Sequence, residues 1–117
     1  MTITRMHDSE RYNKIVIHNG TVYLAGQVPD TLSGDIRVQT EECLAKIDAL
    51  LKDAGSDRHH LISAQIFIRD MKDFAAMNAV WNPWVADVPK PVRACVEARM
   101  ASPDILVEIC IIAAVAD

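Results

Sequence analysis

The alternation of apolar and polar residues divides the chain into strands and helices. The first firm signal is a hairpin. Lys14 to His18 and Thr21 to Gly26 are rich in β-branched and aromatic residues, and Asn19-Gly20 sits between them. Asn-Gly readily takes the positive φ angles of a type I′ turn, which matches the twist of paired strands. Gly26-Gln27-Val28-Pro29 then leaves the sheet, and Ser33-Gly34 lies in a polar loop. From about Asp35 to Ala54 the period becomes helical. Leu44, Ile47, Leu50, Leu51 and Ala54 fall on one face, while Glu42–Lys46 and Asp48–Lys52 have the spacing of i, i+4 ion pairs on the other. Gly55 stands where a C′ residue ends a helix.

Leu61 to Arg69 reads as a strand with Ile62, Ala64, Ile66 and Ile68 on one face. Asp73 is placed to cap a second helix whose apolar residues are Phe74, Met77, Trp81 and Val85. Pro83 falls inside that helix and predicts a kink or an early end, because it lacks an N–H and crowds the preceding turn. Pro89-Lys90-Pro91 is a stiff connector into a strand from Val92 to about Arg99, and Ser102-Pro103-Asp104 turns into a last strand, Ile105 to Val115. The predicted order is ββαβαββ. Residues 1–117 form one α+β domain, a single sheet with two helices on one face.

The last strand sharpens this picture. One side carries Ile105, Val107, Ile109, Ile111 and Ala113, and the other carries Leu106, Glu108, Cys110, Ile112 and Ala114. Both sides are apolar except for one carboxylate, so both should be covered. Two helices cover only one face of the sheet. The second face either meets another copy of the chain or leaves a large apolar patch exposed; self-association is the expectation, and it places Glu108 near a subunit interface.

Composition narrows the class of partner. Of 117 residues, 50% are hydrophobic and 24% charged, the balance of an ordinary folded domain. The net charge is −4, and the densest basic cluster is Arg58-His59-His60. Nucleic-acid binding calls for a stripe of clustered cations, and none is visible, whereas a small anion needs only one or two. Cys43, Cys95 and Cys110 form no CxxC pair, and an odd count points to reduced thiols. The N-terminal residues turn polar too early for a secretory signal, and no apolar run approaches membrane-spanning length, so the expected compartment is the cytoplasm.

Arg93 and Cys95 are two residues apart on one strand and share a face. Arg93 lies in an otherwise apolar stretch, Val92 to Val96, and a guanidinium there needs an anionic partner. Two partners are open to it: a structural ion pair with Glu97, Glu108 or another chain, or a substrate carboxylate gripped by the planar fork. Glu108, isolated between Val107 and Ile109, is either a satisfied structural carboxylate or a proton donor and acceptor near neutral pH. Cys95 has no histidine nearby in sequence, and buried free thiols are usually inert packing. His7, His18, His59 and His60 lack metal-site spacing, and no Gly-rich phosphate loop exists, so neither metal nor nucleotide cofactor is expected.

The run Pro91-Val92-Arg93-Ala94-Cys95-Val96-Glu97-Ala98, followed by Leu106-Val107-Glu108-Ile109, resembles the C-terminal signature of the reactive intermediate deaminase (Rid or YjgF) family. Tyr12, Ala25-Gly26-Gln27-Val28-Pro29, the segment Asp73 to Asn78 and the element order fit as well, so the resemblance spans nearly the whole chain. It implies a chorismate-mutase-like fold and a homotrimer with ligand clefts between subunits. The implied activity is cofactor-free hydrolysis of enamine/imine intermediates such as 2-iminobutanoate and 2-iminopropanoate to 2-oxo acids and ammonium. By the same resemblance Arg93 binds the substrate carboxylate with help from the backbone N–H of Cys95. Glu108 positions water and assists proton transfer, while Tyr12, Gly26 and Asn78 line the cleft. The alternatives are a protein that binds a small carboxylate without turnover and, against the acidic charge, an endoribonuclease. Two positions depart from the pattern: Ala25 stands where many deaminating members have serine, and Cys110 where many have an acidic residue.

Overall fold

The computed structural model describes residues 2–117. Its elements run β1 (Ile3–Asp8), β2 (Asn13–His18), β3 (Thr21–Leu24), α1 (Ile36–Asp53), β4 (Leu61–Ile68), α2 (Phe74–Val85), β5 (Val92–Glu97) and β6 (Val107–Ala114). Short 3-10 turns cover Arg58–His60 and Met71–Asp73. The predicted order is present with one strand added at the front. β1 gave no periodic signal because it has no buried face: of its six residues only Met6 is partly covered. It is held by its ladder to β2, where Met6 pairs with Ile15, and by a 2.9 Å contact between His7 Nε2 and Asp53 Oδ2.

The six strands make one mixed sheet in the order β1-β2-β3-β6-β4-β5. All neighbours are antiparallel except β4 and β5. β3, α1 and β4 form a crossover that leaves room for one strand, and β6 fills it antiparallel to both. That central place explains why the last strand is apolar on both sides. Ile66, Ile68, Val107, Ile109 and Ile111 are buried against α1 and α2, while Glu108, Cys110, Ile112 and Ala114 alternate with them on the opposite, uncovered face. The shortest extent of the chain is 20 Å, a thickness of two layers.

Local chemistry follows the predicted signals at several ends. Asn19 and Gly20 have φ of 53° and 76°, as a type I′ turn requires. α1 begins at Asp35, whose side chain accepts from Val38 N, and closes in a Schellman motif. There Ser56 N donates to Leu51 O at 2.8 Å, Gly55 N donates to Lys52 O at 3.1 Å, and Gly55 has φ 76°. α2 ends two residues after Pro83, the early stop its ring implies. Among the described residues no helix is long and apolar enough to cross a membrane.

Four expectations are corrected. Asp73 makes no side-chain cap; Asp70 caps the preceding 3-10 turn by accepting from Lys72 N, so the chain enters α2 already wound. Ile62 is exposed and Leu61 buried, because a register irregularity between Leu61 and Ser63 reverses the alternation at the start of β4. Glu42 and Lys46 hold the loop before α1 instead of each other: Glu42 accepts from Thr31 N and Thr31 Oγ1, while Lys46 Nζ reaches Val28 O and Asp30 Oδ1, both at 2.7 Å. Asp48 takes both arms of the Arg58 guanidinium at 2.9 Å rather than Lys52.

Candidate functional site

Arg93 springs from β5, the edge strand beyond β4. It pairs in register with Ala64, which is buried beneath the helices, so its side chain leaves the sheet on the helix-covered side. At the edge that side is open, and the chain leaves Arg93 exposed rather than buried as its apolar neighbours implied; Val92 beside it is 71% exposed. The guanidinium lies along α2. Nη1 donates to Asn78 Oδ1 at 2.7 Å, and the group stacks over Trp81 at 5.4 Å and Phe74 at 5.8 Å from the ring centroids. Among the described residues it has no carboxylate partner, so neither Glu97 nor Glu108 of the same chain neutralises it. Glu97 instead accepts from Met71 N.

Cys95 follows Arg93 on the same strand. Ala98 N donates to Ile68 O, so the N–H groups of Val96 and Ala94 also face β4, and that of Cys95 faces the unpaired edge. Burial pushes the Cys95 thiol above its ordinary value, against the pull of Arg93. A thiol held protonated, with no histidine bonded to it among the described residues, is a poor nucleophile. Its backbone donor is the part available to a ligand.

Glu108 lies on the other face. It pairs with Phe67 between the buried Val107 and Ile109, and its carboxylate sits directly over Gly26. A Cβ at position 26 would overlap Glu108 Oε2 and stand 3.0 Å from Cys110 Sγ. Glycine is therefore needed here for close approach. Ala25 precedes it at the same rim. Cys110 flanks Glu108, and burial together with that carboxylate raises its thiol.

The predicted residues thus form two groups rather than one. Arg93, Cys95 and Asn78 share the β5 edge and α2. Gly26 and Glu108 share the open face, two strands away and roughly 10 Å across the ladder. Tyr12, 54% exposed in the turn between β1 and β2, belongs to neither group and stands at the far side of the sheet, four to five strand spacings or about 19–24 Å from β5. No single chain brings Arg93 and Glu108 together.

The residues that support Arg93 carry little mark in the sequence. Trp81 read as core filling, and it is buried, but it also carries the Arg93 guanidinium. Phe74 read as an inward residue and is part of the same platform, 37% exposed. Trp84, buried beside Trp81, donates its Nε1 to Asp48 at 3.2 Å and turns its ring to Arg58. Asn82 and Lys90 join Arg93 in one cavity of about 340 Å³. The Asn78–Asn82 spacing was the available signal, because i, i+4 residues share a helix face.

The family model described as Endoribonuclease L-PSP matches residues 2–115. A RutC family protein of Haemophilus influenzae is 47% identical over 114 residues, covering 97% of this chain and 98% of its own. A solved structure of a YjgF family member from Neisseria meningitidis is 45% identical with a TM-score of 0.96, over 100% of this chain and 98% of the other. A conserved Rid family protein from Yersinia pestis is 30% identical with a TM-score of 0.87, over 92% and 90%.

Proposed function

Since the chain belongs to the endoribonuclease L-PSP family, the YjgF or Rid family of its structural relatives, we propose that it hydrolyses reactive enamine/imine intermediates of amino acids in clefts between the copies of a homotrimer. The observation that carries the reading is Arg93. Its guanidinium is oriented by Asn78 and by two aromatic rings yet has no carboxylate partner among the described residues, which suits a site that receives one. The fork grips the carboxylate of 2-iminobutanoate or 2-iminopropanoate, with the free N–H of Cys95 as a further donor. Glu108 of an adjacent copy faces the imine carbon, because the two faces bearing Arg93 and Glu108 meet only across an interface.

Water adds to C2 of the iminium. Glu108 takes one proton from the attacking water and delivers it to nitrogen; as the C–N bond of the tetrahedral adduct breaks, the adduct's hydroxyl passes its proton through Glu108 to the departing ammonia, and the 2-oxo acid and ammonium leave. An enamine first tautomerises by protonation at C3. The steps require only proton transfer and charge complementarity, and no redox change. The place of action we propose is the cytoplasm, where such imines arise as metabolic by-products and their removal is metabolite repair.

The test is ammonium release from freshly generated 2-iminobutanoate. Arg93→Ala should lower kcat/KM about 100-fold or more, the effect of losing a charge-assisted fork. Unchanged acceleration in that variant would sink the mechanism. One observation favours a second reading, a carboxylate-binding protein without turnover: Ala25 offers no hydroxyl beside Gly26 and Glu108. Calorimetric binding of 2-oxobutanoate with no imine hydrolysis would support it. Ribonuclease action would need a cationic track, whereas Arg58, in the densest basic cluster, is already paired with Asp48.

A further inference from the structure

The cavity that holds Arg93 is lined entirely by groups that lack negative charge, in a chain whose net charge is −4. Besides Arg93 it contains Lys90, Asn78 and Asn82, with Pro91 between the two cations. Asn78 uses its oxygen on Arg93, so its amide N–H groups remain for a ligand. Among the described residues neither Asn82 nor the Lys90 ammonium has a hydrogen-bond or ion-pair partner. The free polar capacity is therefore mostly donor, and it includes two full positive charges.

A substrate with a single carboxylate satisfies Arg93 and leaves Lys90 unneutralised. Two cations beside two carboxamides, in about 340 Å³, suit a small ligand with two anionic groups. We propose that Lys90 makes this cavity selective for imines of dicarboxylic amino acids: Arg93 holds the carboxylate next to the imine carbon, and Lys90 pairs with the distal one. This inference rests on the imine-hydrolase reading above and adds the class of substrate.

The assembled protein is titrated calorimetrically with 2-oxoglutarate and with 2-oxobutanoate, the corresponding products. Imines of glutamate and 2-aminobutanoate, generated in situ by an amino-acid oxidase, are compared as substrates. Wild type should bind 2-oxoglutarate about fivefold more tightly and show the same preference in kcat/KM, the upper size of one ion pair at an exposed lysine. Lys90→Met should bring the ratio close to one, and Lys90→Glu should invert it. A ratio near one in wild type, or one unmoved by Lys90→Met, overturns the inference. So does inorganic phosphate competing as well as 2-oxoglutarate, since Lys90 would then be a general anion site. Arg93-dependent hydrolysis without diacid preference removes the role of Lys90 alone. Failure of Arg93-dependent binding for both acids, together with no imine hydrolysis, removes the underlying reading and this one with it.

Discussion

At position 26 a side chain would take the place of the Glu108 carboxylate, and the displaced atoms are the free end of a flexible side chain rather than backbone. Gly26→Ala should therefore leave stability within about 1 kcal/mol, as substitutions without a core or backbone conflict usually do. Its effect should fall on chemistry instead. A carboxylate moved by about an ångström from its productive place lowers kcat/KM of imine hydrolysis by about tenfold or more. Thermal unfolding and the ammonium assay, run on one preparation, separate the two effects; a large drop in Tm with normal turnover would contradict this role for Gly26. The charged members of the site were legible because a charge in an apolar strand is conspicuous, and Arg93 and Glu108 stand out on that ground. Asn82, Lys90 and the platform of Phe74 and Trp81 were not. Their role arises from α2 lying beside the β5 edge, and that juxtaposition leaves no local trace in the chain.

At the scale of elements, α1 owes its place to a polar residue in its buried stripe. Gln39 is fully buried and clamps two loops at once: Nε2 donates to Gly34 O at 3.2 Å and to Asp104 O at 2.8 Å, and Oε1 accepts from Leu106 N at 2.7 Å. Gln39→Ala would leave a buried N–H and two carbonyls without partners as well as a void. It should destabilise the fold by about 2–4 kcal/mol, measured by chemical denaturation. A loss under about 0.5 kcal/mol would mean that water replaces all three bonds. Gln39 escaped the sequence reading because the helical stripe was recognised by its apolar members. The hairpin, the C-terminus of α1 and the stop near Pro83 were readable, since each depends on a few adjacent residues with strong backbone preferences. β1 and the irregularity at Leu61–Ser63 were not: one has no buried face, and the other is set by a partner strand that arrives some fifty residues later.

The whole chain is a two-layer body whose uncovered sheet face carries Tyr23, Phe67, Cys110 and Ile112 around Glu108, with Val96 exposed toward the β5 edge. An apolar face of that kind is the natural seat for a second copy. The site itself makes a stricter demand, because Arg93 and Glu108 leave opposite faces of one sheet. In the proposed trimer every cleft takes Arg93 from one copy and Glu108 from the next. Arg93→Ala and Glu108→Gln should each be inactive alone. After the two variants are dissociated together and reassembled, every mixed trimer contains one cleft built from an intact Arg93 and an intact Glu108, because a closed ring holding both kinds of chain has one junction of each order. Random mixing in equal amounts yields mixed rings three times in four, so roughly a quarter of wild-type activity should return. The same mixture kept as separate homotrimers should stay inactive, and size-exclusion chromatography of differently tagged variants reports whether exchange took place. If exchange is complete and no activity returns, the two residues do not meet across an interface. If Arg93→Ala or Glu108→Gln is active alone, the division of labour between carboxylate binding and proton transfer is wrong. Ile112→Lys probes the same arrangement from outside the cleft, since a buried ammonium on the shared face should dissociate the trimer and remove turnover with Arg93 and Glu108 both intact.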